Sequence, residues 1–351
     1  MMTEFFDARA WLIWVLAAAA VTVLGRNPLY VVILLLVSRI VDWTCSHADS
    51  ELELPLARVG VIILLFSALF AALFVHGGQT VLLSLPEELP LLGGNITAEA
   101  ILNGLANGLL LLTLLSLFLA FNRVVTAGQM ARLAPRAFQD LGVVVLIALT
   151  YVPETARHVR RVREAQALRG HRIEGLRDWQ PLVIPLLIGG LERAMGLAET
   201  MVARGYGATR GEPQQPGLLA GLALALGLTF GGWIVALWWG LPGWITMGAG
   251  VALMAVLIWN SGRRVVVTRY RQRPWRVKDT VWVIASLTPL ALFVLPVGGI
   301  NRQSLYYSFL PQIEWPPFDP FIGSLLFLYM LPALMGLSDF GARRVDNHDQ
   351  Y

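Results

Sequence analysis

The 351-residue sequence has few charged residues. They make up 14% of the chain, against roughly 25% in an ordinary soluble domain. Hydrophobic residues make up 56%, and the mean hydropathy is strongly positive. A water-soluble core of this size cannot bury so much apolar surface, so the composition indicates a protein embedded in lipid. The same composition excludes a disordered chain and disfavours a soluble multi-domain enzyme.

Cysteine and lysine occur once each, and several common site motifs are absent. Cys45 is the only cysteine, which excludes an internal disulfide framework and a Cys-x-x-Cys metal or redox site. Lys278 is the only lysine, and no Gly-x-x-x-x-Gly-Lys phosphate loop or His-Glu-x-x-His motif occurs. We therefore predict no catalytic residue, no metal site and no cofactor in this chain, and we expect ATP hydrolysis on separate chains.

Long apolar runs dominate the sequence. A helix needs about 20 apolar residues to cross the hydrocarbon core. Eight stretches reach or approach that length: 10–24, 29–40, 59–75, 100–121, 218–239, 244–259, 281–297 and 321–337. The first two are short, and the turn residues Gly25-Arg26-Asn27-Pro28 between them favour two helices over one kinked element. The sequence predicts an all-α polytopic membrane protein with about eight spanning helices.

The basic residues between these runs predict the orientation, because cytoplasmic loops carry an excess of Lys and Arg. Segment 261–279 has seven basic residues, and Arg recurs throughout 123–210. Segment 76–98 has none, and 298–320 has only Arg302. This alternation predicts a multi-pass plasma-membrane protein with both termini in the cytoplasm. We divide the chain into N-terminal transmembrane helices (1–121), a cytoplasmic helical block (122–213) and C-terminal transmembrane helices with a basic cytoplasmic loop (214–351).

Ten tryptophans lie near the predicted span ends. Amphipathic rings prefer the level of the lipid headgroups, so we expect nearly all ten to act as interfacial anchors. They are Trp11, Trp14, Trp43, Trp233, Trp238, Trp239, Trp244, Trp259, Trp275 and Trp282.

The block 122–213 differs from the rest of the chain. Its apolar runs are too short to cross a bilayer, and basic residues lie on both sides of them. Helix breakers predict two long helices, over about 135–167 and 181–203, with Pro153 kinking or loosening the first. We predict that the two helices lie along or below the cytoplasmic leaflet and cross each other. The alternative is an ordinary interfacial hairpin without a partner.

Small residues recur at helical spacing on the second of these helices. Such residues let another helix approach closely. We predict contacts with a neighbouring helix or with a partner subunit at Gly190, Ala194, Ala198 and Met201.

Both long helices end with Arg followed by Gly. The first ends Ala167-Leu168-Arg169-Gly170 and the second Ala203-Arg204-Gly205. The helix dipole favours a cation in the last turn, and Gly after it is a common cap, so one such ending has an ordinary structural explanation. A second copy 35 residues later, on the same predicted membrane face, suggests a shared function. An Arg at a helix tip suits an acidic groove, because its planar guanidinium binds carboxylates in a bidentate manner.

At these residues the sequence resembles the transmembrane T component (EcfT, or CbiQ-like) of energy-coupling factor transporters, a branch of the ABC importers. Stretches 151–170 and 185–207 resemble the family's two coupling motifs, with Leu168 in place of a small residue in the first. The resemblance implies that two cytoplasmic ABC ATPase subunits dock at Arg169, Gly170, Ala203, Arg204 and Gly205. It also implies that the crossed helices seat a membrane-embedded substrate-binding subunit, the S component. It implies no role for the spans after about residue 243.

The implied function is a transmembrane scaffold that transmits ATPase motion to an S component, for uptake of a vitamin or a metal ion. An ordinary ABC permease would instead have polar residues inside its spans, and few occur beyond Arg39, Asn103 and Asn107. A membrane enzyme acting on lipid headgroups would need a clustered acid, His or metal triad, and none is visible. The basic loop 261–279 offers too small a platform for nucleic acid, and attraction to anionic lipid is the simpler explanation for its charge.

Overall fold

The structure is a computed structural model, and it describes residues 6–45, 55–85, 94–131, 133, 139–170, 179–206, 216–263, 275–295, 302–310 and 313–335. The centre of the predicted basic loop (264–274), residues 171–178, Gly207 and the extreme termini lie outside these residues. The chain divides into two compact units. One comprises 1–130 with 271–351, and the other comprises 131–270.

Within the described ranges the chain is almost entirely helical. Its helices are α1 (Ala8–Leu24), α2 (Pro28–Cys45), α3 (Leu56–Phe74), α4 (Ala98–Val124), α5 (Ala127–Ala131), α6 (Gln139–Leu168), α7 (Gln180–Ala203), α8 (Pro216–Trp239), α9 (Leu241–Arg263), α10 (Val277–Val294) and α11 (Pro320–Leu326). A 3₁₀ turn, Phe327–Met330, follows α11.

The predicted all-α polytopic architecture is confirmed. In the described part of the chain, six helices are long and apolar enough to cross a membrane: α2, α3, α4, α8, α9 and α10. Helix α1 and the segment Pro320–Met335 are shorter apolar helices. Helices α1 and α2 are separate, as the turn residues between them predicted.

The first unit has a tryptophan-rich core between α1 and α10. The rings of Trp11 and Trp282 have centroids 4.6 Å apart and an interplanar angle of 79°. The buried Trp14 donates its Nε1–H to the carbonyl of Tyr329 at 3.0 Å. The predicted anchoring role is therefore wrong for these three tryptophans, because they pack between helices instead of facing the interface. The other seven are exposed, as anchors must be: Trp43, Trp233, Trp238, Trp239, Trp244, Trp259 and Trp275.

The C-terminal segment is hydrogen-bonded to the start of the chain. Asn27, which precedes α2, is fully buried and donates from Nδ2 to the carbonyls of Ser304 at 2.8 Å and Pro317 at 2.7 Å. The hydroxyl of Tyr30 accepts from the backbone N–H of Asp319 at 2.8 Å. The last helices, for which the sequence suggested no role, therefore complete the core of the first unit.

Replacing Asn27 is expected to weaken this attachment. Asn27→Ala removes two donors and leaves two carbonyls without this partner, which should lower the free energy of unfolding by about 1–3 kcal/mol. The thermal midpoint of the detergent-solubilised protein measures the loss. Asn107→Ala is the matched control, because Asn107 is exposed on α4. Equal shifts in the two variants would contradict a specific role for Asn27.

A β-hairpin that the sequence analysis did not predict precedes α4. Strand β1 (Val81–Leu85) pairs antiparallel with β2 (Gly94–Thr97), with Leu83 opposite Ile96. An apolar run as short as Val81–Leu85 does not distinguish a strand from part of a helix by its periodicity.

In the second unit, α8 and α9 form a close antiparallel pair. Gly232 and Gly243 each face the backbone of the opposite helix, at Met247 and Ala236. A Cβ at Gly250 would lie only 2.6 Å from the backbone nitrogen of Thr229. Glycine at these positions lets the two backbones approach closely, and the turn between the helices contains Gly240 at φ +62°.

Candidate functional site

Helices α6 and α7, which we call the two arms, form the long helices predicted in the block 122–213. The predicted ranges 135–167 and 181–203 compare with Gln139–Leu168 and Gln180–Ala203 in the structure. Pro153 lies inside α6, which continues on both sides of it. Neither arm belongs to the six helices that are apolar and long enough to span a bilayer. Helix α6 is not one of them because its second half is basic and contains Arg157, Arg160 and Arg161.

The arms touch near their middles. The hydroxyl of Tyr151 on α6 donates to the carbonyl of Arg193 on α7 at 3.5 Å. His158, two turns further along α6, lies against Gly189, one turn earlier in α7. Later residues of α6 thus meet earlier residues of α7, so the arms pass each other in opposite directions. We call these four residues the arm contact.

The C-terminal ends of the arms project away from the arm contact. His158 lies 11 residues before Arg169, and Arg193 lies 11 residues before Arg204. At 1.5 Å per helical residue, each Arg is about 16 Å beyond the contact along its own arm. Because the arms run in opposite directions, the two Arg residues lie on opposite sides of the contact.

The tip of α7 has a complete Schellman cap. Gly205 has φ +78°, its N–H donates to the carbonyl of Val202 at 2.9 Å, and the N–H of Tyr206 donates to that of Met201 at 2.9 Å. These two hydrogen bonds define the motif, and the left-handed φ explains why Gly is required. The cap fixes the backbone at Arg204, which is the last residue before the glycine.

The tip of α6 has the positive φ and the first of these two hydrogen bonds. Gly170 has φ +81°, and its N–H donates to the carbonyl of Ala167 at 2.9 Å. This bond corresponds to the bond between Gly205 and Val202 at the other tip. The prediction that a glycine caps each arm immediately after its Arg is confirmed at both sites.

Both tips are exposed. Leu168 is 91% exposed and Val202 is 71% exposed, and Arg169 and Arg204 also lie on the surface. Among the described residues, neither Arg has an ion-pair partner. Glu154, in the part of α6 before its tip (the shaft), does form ion pairs, with Arg157 and Arg161. The two guanidinium groups can therefore bind carboxylates of another molecule without first breaking an ion pair within the described part of the chain.

The small residues predicted to pack against another helix are partly exposed. Gly190 and Met201 are half-buried, and Ala194 and Ala198 are exposed. No described atom lies within 4 Å of a Cβ placed at Gly190. The close approach between the arms occurs at the preceding residue, Gly189, which the sequence analysis did not single out. Contact between the four predicted residues and a partner subunit stays a prediction.

Arg39, one of the few ionisable residues in a predicted span, has a structural partner. Arg39 on α2 and Arg123 on α4 each donate from Nη1 to Oδ2 of Asp42 at 2.8 Å. The Asp42 side chain is only 2% exposed, so it joins α2 to α4 through a buried carboxylate. This arrangement explains Arg39 without a substrate path through the spans.

The fold and the two arms define a polytopic α-helical membrane protein with Arg-Gly helix tips. Residues 4–216 match the CbiQ family, described as a cobalt transport protein. The energy-coupling factor transporter transmembrane protein EcfT of Bacillus selenitireducens is 29% identical over 195 residues, which cover 51% of this chain and 71% of that protein. EcfT of Exiguobacterium sibiricum is 36% identical over 73 residues, or 19% of this chain and 28% of that protein. The chain belongs to the CbiQ family, and it is similar to the transmembrane T components of energy-coupling factor transporters.

The family match ends where α8 begins. Helices α9, α10 and α11 lie beyond residue 216 and therefore outside the matched region. Of these, α10 and α11 pack in the first unit with helices that the match includes. The C-terminal segment thus adds to the family architecture without being a separate domain.

Proposed function

We propose that this chain couples the motion of two cytoplasmic ABC ATPase subunits to a membrane-embedded S component, for uptake of a vitamin or a metal ion. The single observation that carries the proposal is the pair of exposed Arg residues, Arg169 and Arg204, each placed before a left-handed glycine at the end of a long helix. The names of the relatives support a transporter component. The coupling role and the partners are our proposal.

Each tip is suited to dock in an acidic groove. The caps at Gly170 and Gly205 order the backbone that presents the guanidinium, so little conformational freedom is lost on binding. The guanidinium donates two parallel hydrogen bonds to a carboxylate, which adds geometric specificity to the charge attraction. Ala203 precedes Arg204 and is small enough to let the walls of the groove close around the tip. In this proposal one ATPase subunit receives each tip.

The arms transmit the motion as levers. Helix α6 has 30 residues and α7 has 24, which corresponds to lengths of about 45 Å and 36 Å. When ATP binding draws the ATPase subunits together, the tips move with them. The arm contact carries the movement to the other halves of the helices. The chain itself neither hydrolyses ATP nor binds a cofactor in this proposal.

The seat for the S component lies on α7. Ala194 and Ala198 are one turn apart and exposed, with Gly190 one turn before them. Residues of this size let a helix of a neighbouring membrane protein approach the α7 backbone. Met201 extends the same strip by one turn, and its flexible side chain adapts to an uneven surface. We place the arms on the cytoplasmic side of the plasma membrane, with both chain termini in the cytoplasm.

Co-purification with two ABC ATPase subunits co-expressed with this chain tests the proposal. The wild-type chain is expected to retain both subunits through affinity purification in detergent. Arg204→Lys is expected to weaken the association about tenfold, because Lys keeps the charge but loses the bidentate fork. Arg163→Lys, on the exposed shaft of α6, is the control and should have no effect. The proposal is wrong if neither ATPase binds the wild type, and an unchanged affinity of Arg204→Lys would contradict the bidentate contact.

A further inference from the structure

We propose that His158 and Gly189 form the pivot between the arms, and that their contact sets the angle at which α6 and α7 pass and hence the separation of the two Arg tips. Both are positioning residues, since neither lies at a tip. The inference rests on the proposed function for its consequence in transport. Its geometric part concerns this chain alone.

The fit between the two residues is close. A Cβ placed on Gly189 would lie 3.0 Å from Nε2 of His158, 3.5 Å from Cε1 and 3.9 Å from Cδ2. A contact of 3.0 Å is shorter than an ordinary van der Waals contact, so a Cβ at position 189 would displace the imidazole by a few tenths of an ångström and a larger side chain would displace it further. At Gly190 and Gly196 on the same helix, a Cβ would have no described atom within 4 Å.

The polar atoms at this contact are incompletely hydrogen-bonded. In the part of the chain that the structure describes, Nε2 of His158 and Nε of Arg193 are buried without a hydrogen-bond partner. The hydrogen bond from Tyr151 to the Arg193 carbonyl is long, at 3.5 Å. Buried polar atoms without partners cost free energy, so hydrogen bonding contributes little to the stability of this contact. The close fit at Gly189, more than hydrogen bonding, therefore determines the angle between the arms.

The geometry amplifies small changes at the pivot. Arg169 lies 11 residues after His158, and Arg204 lies 15 residues after Gly189. With a lever of about 16 Å, a rotation of about 10° moves a tip by about 3 Å. A bulky side chain at position 189 must push the imidazole or the helix away. This changes the angle between the arms and therefore the distance between the two tips.

A distance measurement between the tips tests the pivot. Leu168→Cys and Val202→Cys place nitroxide labels on two exposed positions, in full-length protein in which Cys45→Ala removes the native thiol. Gly189→Val is expected to shift the mean distance from electron paramagnetic resonance by about 1–2 Å, because tips on opposite sides of the pivot move mostly across the line that joins them. Gly196→Val is the matched control, with the same β-branched residue in open space on the same helix, and should leave the distance unchanged.

A second substitution distinguishes the pivot from general damage to α7. Adding His158→Ala to Gly189→Val removes the ring that the valine meets, and the wild-type distance should return. If Gly189→Val does not fold, Gly189→Ala with and without His158→Ala gives a smaller shift of the same kind. An unchanged distance in the Gly189 variants, an equal shift in Gly196→Val, or no recovery with His158→Ala would overturn the pivot.

The transport consequence has a separate readout. In the complex, Gly189→Val should retain both ATPase subunits while the substrate transported per ATP hydrolysed falls at least threefold, and His158→Ala should restore that ratio. If the wild-type chain binds no ATPase but the distances behave as expected, the proposed function fails while the geometric pivot stands. If the ATPases bind and the distances do not change, the pivot fails while the proposed function stands.

Discussion

Replacing Arg169 and Arg204 together by glutamate is expected to abolish co-purification of this chain with its ATPase subunits. Each substitution removes a guanidinium that donates to carboxylates and places a carboxylate of its own in an acidic groove. Breaking one buried charge pair typically costs about 3–5 kcal/mol, and a loss of about 4 kcal/mol at a single tip already lowers affinity nearly 1,000-fold. Quantitative mass spectrometry of the purified complex measures the loss of both ATPase subunits.

Substitutions at one tip, or elsewhere on α6, show whether the loss of the ATPase subunits is caused by the change at the tips. Arg169→Glu or Arg204→Glu alone should remove about half of the retained ATPase, because each tip is proposed to hold one subunit. Arg160→Glu with Arg163→Glu makes the same change in net charge on the exposed shaft of α6 and should retain both subunits. If the shaft variant lost the ATPases as completely as the tip variant, the association would depend on overall charge, and the docking role of the tips would have to be abandoned.

The tips could be predicted from the sequence because their structure is local. A Schellman cap needs hydrogen bonds that span only a few residues, such as the bond from Tyr206 to Met201, and a glycine that adopts positive φ. The residues that determine the end of each arm therefore stand next to one another in the chain. The same reasoning located the eight apolar segments, since each depends on its own run of residues.

The contacts that the sequence did not reveal join distant parts of the chain. Trp14 and Tyr329 are 315 residues apart, and Asn27 and Pro317 are 290 apart. A tryptophan near the end of an apolar run has the same local pattern whether it faces lipid headgroups or another helix. For this reason the anchoring prediction failed at Trp14 and the packing role of the C-terminal helices stayed hidden.

The arm contact also could not be predicted from local sequence. Gly189 and Gly190 are adjacent, and either could belong to a strip of small residues at helical spacing. Neighbouring helix positions point about 100° apart, so only the placement of α6 decides which glycine meets His158. The small-residue pattern predicted a helix that can be approached closely, but it did not identify the residue that α6 approaches.

Removing the carboxylate of Asp42 is expected to cause the largest loss of stability among the substitutions considered. Asp42→Ala takes away the acceptor shared by Arg39 and Arg123, and it leaves those cations close together between α2 and α4. Breaking a buried ion pair by removing one partner costs about 3–5 kcal/mol. We expect about 3 kcal/mol, because Oδ1 of Asp42 has no hydrogen-bond partner within the described residues and the pairing is therefore not ideal. Thermal unfolding in detergent measures the change.

The two Arg partners should respond unequally, because their exposure differs. The Arg39 side chain is 41% exposed and that of Arg123 is 16% exposed. Arg39→Gln should therefore cost less than about 1 kcal/mol, as for surface pairs. Asp42→Leu combined with Arg123→Leu should be more stable than Asp42→Ala, because it replaces the buried carboxylate and its less exposed partner with apolar side chains and leaves only the more exposed Arg39 charged. Equal destabilisation by Arg39→Gln and Asp42→Ala would contradict this. It would show that the ion pair between Asp42 and Arg123 adds no stability, and that apolar packing alone holds α2 and α4 together.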